Sequence, residues 1–325
     1  MSVKVYKWGI IGCGNVTEVK SGPAYQKVEG FELKAVMRRD IEKAEDYANR
    51  HGVSKFYGNA DDLINDPEIN AIYIATPPDS HLHYALKVAK AGKVCCIEKP
   101  MAPSYKECEQ IVRVFKEKEL PLFVAYYRRS LPRFEKIKAL LDASAIGSVR
   151  HINWHYSRGP KPIDLLEAYD WRTDVKIAYG GYFDDLASHG LDLFIYLLGN
   201  ITEAKGLAVN QQDLYSSKDA IVGSWLHHSG ITGSGSWNFG TESVEDKVEI
   251  YGSNGKITFS VFKGAPIVLK NDTLEKSFDI AHPENIQLYH VENMKKQLFS
   301  EIPHPSTGET GAHTSWVMDK ILDKN

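Results

Sequence analysis

The sequence predicts two unlike folds in tandem. Residues 1–126 read as a doubly wound parallel α/β (Rossmann) domain, and residues 127–325 as an α+β domain with a large, mostly antiparallel open sheet. Three observations carry this. Strand and helix patterns alternate from the first strand to Tyr126, as crossover connections between parallel strands require. A glycine turn lies between the first strand and the first helix. After Arg133 the texture changes to strand-like runs in succession, which suits an antiparallel sheet.

The stretch Val5–Val16, V-Y-K-W-G-I-I-G-C-G-N-V, opens the first domain directly behind M-S-V-K. Tyr6, Trp8, Ile10 and Ile11 are the residue types of a buried strand. Gly12 and Gly14 lack Cβ atoms and let the backbone turn and approach a ligand closely. A helix beginning at Asn15 and Val16 and running to about Glu29 presents unpaired N–H groups and its positive end to that turn, where a diphosphate fits. The dinucleotide fingerprint has a third glycine where this chain has Thr17, a departure that loosens helix–strand packing rather than phosphate binding.

Further elements follow in alternation. They are a strand at Phe31–Met37, a helix at Ile41–His51 closed by Gly52, a short strand at Lys55–Tyr57 and a short helix at Ala60–Asn65. Ala71–Ala75, A-I-Y-I-A, is apolar throughout, as expected of a strand buried on both faces. A helix at His81–Ala91, a strand at Val94–Ile97, a helix at Tyr105–Lys118 and a strand at Leu122–Tyr126 complete the domain. In the second domain helices are expected at Arg133–Ala143 and Gly180–Leu198. Strands are expected at Val149–Ser157, Ala204–Gln211, Ala220–Leu226, Ile231–Asn238, Lys247–Tyr251, Lys256–Phe262 and Ile267–Lys270. Y-G-S-N-G-K at 251–256 is a hairpin turn signal, and helices at about Ile286–Phe299 and Glu309–Leu322 close the chain.

Composition sets bounds. The chain has 325 residues, 43% hydrophobic and 25% charged, with a net charge of −3; that charge speaks against a nucleic-acid partner. No apolar run reaches the roughly 20 residues that span a bilayer. The opening leaves no room for a signal peptide. Cys13, Cys95, Cys96 and Cys108 have no C-x-x-C spacing, so reduced thiols in a cytoplasmic protein are expected.

Four places carry chemistry. Strand two ends in Met37-Arg38-Arg39-Asp40, where a dinucleotide's adenosine ribose would lie. A guanidinium fork there suits a 2′-phosphate, whereas an acid would accept from a 2′-hydroxyl. NADP is therefore the preferred cofactor; NAD stays open because Asp40 can reach a ribose. Thr76-Pro77-Pro78 and Glu98-Lys99-Pro100 follow successive strands at their carboxyl ends, the rim where open α/β sheets bind ligands. Asp185 and His189 lie four apart on one helix face, with Asp192 one turn on; a carboxylate beside an imidazole can orient it for proton transfer. The remaining histidines do not suggest a metal. His151 and His155 sit about 13 Å apart along a strand, and His227 and His228 point to opposite faces of theirs.

Together these pieces resemble the glucose–fructose oxidoreductase / inositol dehydrogenase / MocA family. The resemblance rests on the glycine turn, A-T-P-P-D-S-H at 75–81, E-K-P at 98–100, Asp170-Trp171-Arg172, the Gly180-Gly181-led D-x-x-x-H helix and G-E-T-G-A-H-T-S-W at 308–316, and covers essentially the whole chain. It implies NAD(P)-dependent oxidation of sugars, polyols or related alcohols, and a homodimer or homotetramer joined through the open sheet. It makes Lys99 the lysine near the nicotinamide and the reacting oxygen, His189 the proton donor or acceptor, and Asp185 the residue that positions substrate and imidazole. His81, Glu98, Trp171 and Arg172 would accompany the cofactor. Tyr127, Arg158, Trp237 and Phe239 are the candidate substrate contacts, the aromatic ones able to stack on a sugar face or an aromatic ring. Other readings are a dehydrogenase of an aromatic trans-dihydrodiol or a nucleotide-activated sugar, or a non-catalytic dinucleotide sensor of the same fold. A sensor would be expected to have lost the Lys/Asp/His set, which this chain keeps.

Overall fold

The computed structural model describes residues 5–324; residues 1–4 and 325 lie outside them. The chain divides into two compact units, Met1–Ser130 with Pro283–Ala312 and Leu131–His282 with His313–Asn325. The single cut expected after residue 126 is thus replaced by an arrangement in which the chain leaves the first unit, returns and leaves again.

The first unit holds six strands: β1 (Tyr6–Ile11), β2 (Phe31–Met37), β3 (Lys55–Tyr57), β4 (Ala71–Ile74), β5 (Val94–Ile97) and β6 (Leu122–Val124). All pair in parallel, in the order β3-β2-β1-β4-β5-β6. The helices between them are α1 (Asn15–Val19), α2 (Gly22–Lys27), α3 (Ile41–His51), α4 (Ala60–Asn65), α5 (His81–Lys90) and α6 (Tyr105–Glu117). β4 and β5 are buried along their whole length, which explains their unbroken apolar runs.

The helix expected from Val16 to Glu29 is two helices. The buried Tyr47 hydroxyl donates to Thr17 O at 2.9 Å, taking the carbonyl that a continuing helix would use. Gly22, where the second helix starts, lies so close to Thr17 O and Tyr47 Oη that any Cβ would collide. Thr17 itself is buried, with Oγ1 donating to Gly14 O at 2.8 Å.

The second unit opens with α7 (Pro132–Asp142), β7 (Val149–Ser157), α8 (Pro162–Leu165) and α9 (Tyr182–Leu198). Its strands continue as β8 (Ile201–Val209), β9 (Ala220–His227), β10 (Thr232–Asn238), β11 (Glu245–Gly252), β12 (Gly255–Phe259), β13 (Ile267–Asn271) and β14 (Glu275–Phe278). They form one sheet, β14-β13-β12-β11-β7-β10-β9-β8, antiparallel except where β7 meets β10. β14 was not expected; its E-K-S-F offers no apolar alternation. β12 ends at Phe259 rather than Phe262 because Asp246 accepts from the N–H groups of Val261, Phe262 and Lys263 at 3.2, 2.6 and 3.2 Å and turns the chain away.

One face of this sheet is an aromatic layer. Trp154 meets Trp237 and Phe194 edge-on at 5.5 and 5.6 Å, and Phe194 stacks on Trp225 at 6.0 Å. Gly190 of α9 faces the Trp154 ring so closely that a Cβ would strike it. On the other face His151 and His155 meet the hydroxyls of Thr232, Ser234 and Ser236 at 2.7–3.1 Å, while Leu207 and Val222, paired across β8 and β9, are exposed.

Two helices close the chain, α10 (Leu288–Ser300) and α11 (Gly308–Ile321). α10 belongs to the first unit because Val291 and Met294 complete the core formed by Trp8, Tyr25, Phe31 and Tyr73. Its apolar stripe therefore has its partners more than two hundred residues upstream, a pairing that local pattern cannot reveal.

Candidate active site

In the first unit the carboxyl ends of β1, β2 and β4 open on a cleft of about 550 Å³. Gly12, Cys13, Gly14, Met37, Arg38, Arg39, Asp40, Thr76 and Pro77 line it. The two glycines are there for different reasons. Gly12 has φ +93°, and a Cβ would lie 2.8 Å from Thr76 Cγ2, so the fold itself requires glycine. Gly14 has φ −118°, which any residue adopts, and a Cβ there would meet nothing nearer than Gly12 O at 4.0 Å. The protein makes no demand for glycine at 14; close approach of a ligand does. The cleft therefore fits a dinucleotide. Asn15 is exposed and Val16 partly so, at the start of α1, but that helix has five residues and contributes only a short dipole.

Arg38 and Arg39 are exposed on the cleft. Asp40 is engaged with its own helix: Oδ1 accepts from Lys43 N at 3.3 Å and Oδ2 pairs with Lys43 Nζ at 2.8 Å. Those contacts, the side-chain bond to Lys43 first, hold its carboxyl below the usual range. Sequence reasoning missed Lys43, Asp79, Ser80 and Tyr84, which also line the cleft. The motif T-P-P-D-S-H contained the signal for Ser80, whose Oγ sits 2.7 Å from Thr76 Oγ1 and 2.8 Å from Pro77 O.

Two residues expected at the cofactor are instead braces of the rim. His81 is fully buried; Nε2 donates to Thr76 O at 2.7 Å, and Nδ1 lies 3.2 Å from Pro100 O and Met101 O. Burial lowers its pKa, and the ring lies between the loop after β4 and the loop after β5. Glu98 is buried as well. It accepts from Tyr73 Oη at 2.5 Å, Gln287 Nε2 at 2.8 Å and the N–H of Lys99 at 3.0 Å. Lys99 follows it at the end of β5, half-buried. Tyr127, also in this unit, is nearly buried on the turn after β6, with the Arg128 guanidinium 5.0 Å from its ring.

In the second unit α9 follows directly on Gly181, whose φ of +63° and proximity to Lys218 O suit glycine. The helix presents Asp185 partly exposed and His189 buried, with Phe262 edge-on to the imidazole at 5.8 Å. Asp192 is wholly buried and accepts from Thr314 Oγ1 at 3.1 Å, a structural contact. Asp185 also has a partner unforeseen in the sequence. Arg172 Nε donates to its Oδ2 at 2.7 Å, and Nη1 pairs with Asp170 Oδ1 at 3.2 Å. Against the pull of burial, those two carboxylates raise the guanidinium's pKa. Arg172, expected beside the cofactor, thus fixes Asp185, while its guanidinium lies 4.3 Å from the Trp171 ring.

Trp237 and Phe239 are corrected. Both are fully buried in the aromatic layer, Trp237 against Trp154 and Phe183, Phe239 against Tyr156 and Tyr182. Neither has a free face for a substrate. Arg158 is retained as a candidate: it follows β7 directly, with its guanidinium 4.2 Å from the Tyr182 ring. All four cysteines are free and buried. No helix among the described residues is long and apolar enough to cross a membrane. Among the described residues no group of three or more His, Cys, Asp or Glu could hold a metal ion.

Comparison with known proteins meets this geometry from outside. Residues 6–126 match the oxidoreductase family with an NAD-binding Rossmann fold, and residues 134–258 match the Gfo/Idh/MocA C-terminal domain. Oxidoreductase P35 of Formosa agariphila is 40% identical over 314 residues, 96% of this chain and 97% of its own. A trans-1,2-dihydrobenzene-1,2-diol dehydrogenase of Xenopus tropicalis is 24% identical over 98% of this chain and 97% of its own. The solved structure of a levoglucosan dehydrogenase with NADH superposes with a TM-score of 0.87 over 98% of this chain and 96% of that one, at 21% identity. With both halves matched and the turn, cleft and D-x-x-x-H helix in place, the chain belongs to the Gfo/Idh/MocA family of oxidoreductases.

Proposed function

We propose that this oxidoreductase is an NADP-preferring dehydrogenase that interconverts a secondary alcohol and a carbonyl on a sugar, polyol or related compound. The observation that carries the cofactor preference is the division of labour at the end of β2. Arg38 and Arg39 face the cleft, while Asp40, the acid that would serve a ribose hydroxyl, caps α3 and pairs with Lys43. A guanidinium fork binds a 2′-phosphate and offers a hydroxyl no acceptor.

The nicotinamide, when bound, supplies the hydride acceptor or donor. The protein supplies the rest. Lys99 provides a positive charge that stabilises the developing alkoxide. His189 takes or gives the hydroxyl proton at an imidazole nitrogen. Asp185, held by Arg172, positions substrate and imidazole. Trp237 and Phe239, being covered, offer a substrate ring no stacking face.

The test is binding of NADPH and NADH, followed by quenching of tryptophan fluorescence, to the wild type and to Arg38→Asp. The expected result is tighter binding of NADPH, by about tenfold or more for a charge-assisted contact worth ~1.4 kcal/mol or more, and loss of that preference in the variant. Tighter NADH binding by the wild type would overturn the preference, and binding of neither would overturn the enzyme reading.

A further inference from the structure

The second unit contains a cation whose hydrogen-bonding edge the protein leaves unused. Arg158 packs its guanidinium against the rings of Tyr182 and Phe239, 4.2 and 5.6 Å from their centroids. Its Nε and Nη2 are buried and, among the described residues, have no hydrogen-bond partner. Leaving buried donors unmet costs about 1–3 kcal/mol, and more for a charged group, so the edge calls for an occupant. Lys161 lies beside it, with Nζ also 4.2 Å from the Tyr182 ring. Burial first, then the neighbouring charges of Arg158 and Arg172, lower the Lys161 pKa. The hydroxyl of Tyr215, whose ring stands edge-on to Tyr182 at 5.9 Å, is likewise buried without a partner among the described residues.

The nearby acids are engaged elsewhere. Asp170 and Asp185 hold Arg172. Asp164 accepts from Tyr182 Oη at 2.6 Å and from the N–H of Lys161 at 2.7 Å. We infer that the unpaired edge of Arg158, with Lys161 and the Tyr215 hydroxyl, receives a carboxylate group of the substrate, so that the enzyme acts on a sugar acid or polyol acid. Nε–H and Nη2–H are the parallel donors along one side of a guanidinium, spaced to meet both oxygens of a carboxylate. A neutral hydroxyl would leave the charge uncompensated in a buried setting.

The inference rests on the dehydrogenase reading and adds the charge of what is oxidised. Its test keeps the two apart. D-glucuronate and D-gluconate are compared with D-glucose, D-glucitol and D-glucose 6-phosphate, by calorimetric binding to the cofactor-loaded protein and by kcat/KM. The comparison covers the wild type, Arg158→Gln and Arg158→Lys, with NADPH affinity and melting temperature recorded for each. The expected result is at least tenfold preference for a carboxylate over its neutral counterpart. Arg158→Gln should lose that preference and Arg158→Lys, which keeps the charge without the fork, should recover only part of it. NADPH binding should be unchanged. A wild type in which no carboxylate is preferred, in which the 6-phosphate is preferred, or whose preference survives in Arg158→Gln overturns the inference and leaves the dehydrogenase reading standing. Failure to bind either NADPH or NADH, by contrast, removes the dehydrogenase reading.

Discussion

Glu98 and Lys99 are adjacent in the sequence and opposite in employment. The Glu98 carboxylate is filled by Tyr73, Gln287 and a backbone N–H, whereas the proposed chemistry needs the Lys99 ammonium at the reacting oxygen. Lys99→Ala should therefore lower kcat by about 10²- to 10³-fold, the usual loss when one electrostatic stabiliser is removed, with an unchanged melting temperature. Steady-state kinetics and a thermal melt of the same preparation check it, and near-normal turnover would take Lys99 out of the mechanism. The contrast also shows what a single sequence can disclose at this scale. Residue types and their place at strand ends were legible: Gly12, Gly14, Arg38, Arg39, Thr76 and Pro77 all line the cleft. Employment was not. His81 and Glu98 sit in the same motifs, yet both are spent on internal partners, one of them Gln287, 189 residues further along. Trp237 and Phe239 misled for the same reason, because burial is decided by elements that local sequence does not name.

Periodicity carries the elements wherever a face is buried. The six parallel strands and the helices between them were readable, because apolar runs and 3.6-residue spacing are local properties. Breaks set by tertiary contacts were not, as when Tyr47 takes the Thr17 carbonyl and splits one helix into two. Gly190 allows a sharper test of how closely elements pack. In an isolated helix, alanine would be favoured over glycine by up to ~1 kcal/mol. Here a Cβ would strike the Trp154 ring, itself wedged among Trp237, Phe194 and Tyr156. Overpacking of this kind costs about 1–3 kcal/mol and should win over propensity. Gly190→Ala is expected to lower the urea midpoint and alter the near-ultraviolet circular dichroism of the tryptophans. A variant as stable as the wild type would mean that α9 does not approach the sheet this closely.

Across the whole molecule the division of the chain follows core completion rather than sequence position: α10 returns to the first unit to bury Val291 and Met294. The same burial makes stability depend on pH. His304 bridges the end of that segment, with Nδ1 accepting from Ser306 N at 2.9 Å and Nε2 donating to His290 O at 3.0 Å. Burial, against those backbone bonds, pushes its pKa down to about 4. Burial also lowers His81 and His290 in the same unit and His227 in the other. The folded values lie below the ordinary ~6.5, so these neutral rings keep their full contribution above that pH. As pH falls below it the unfolded chain takes protons that the folded chain refuses, and stability drops by about 1.4 kcal/mol per pH unit for each such proton. For His304 the loss continues until about pH 4, where the folded ring also titrates. The urea midpoint should accordingly fall steeply between pH 6.5 and 5. In His304→Gln that slope should be shallower by about one proton, whatever the variant's stability at pH 7.5. Equal slopes would mean that His304 is already protonated in the folded protein, and that α10 is held to the sheet by its apolar contacts without this bridge.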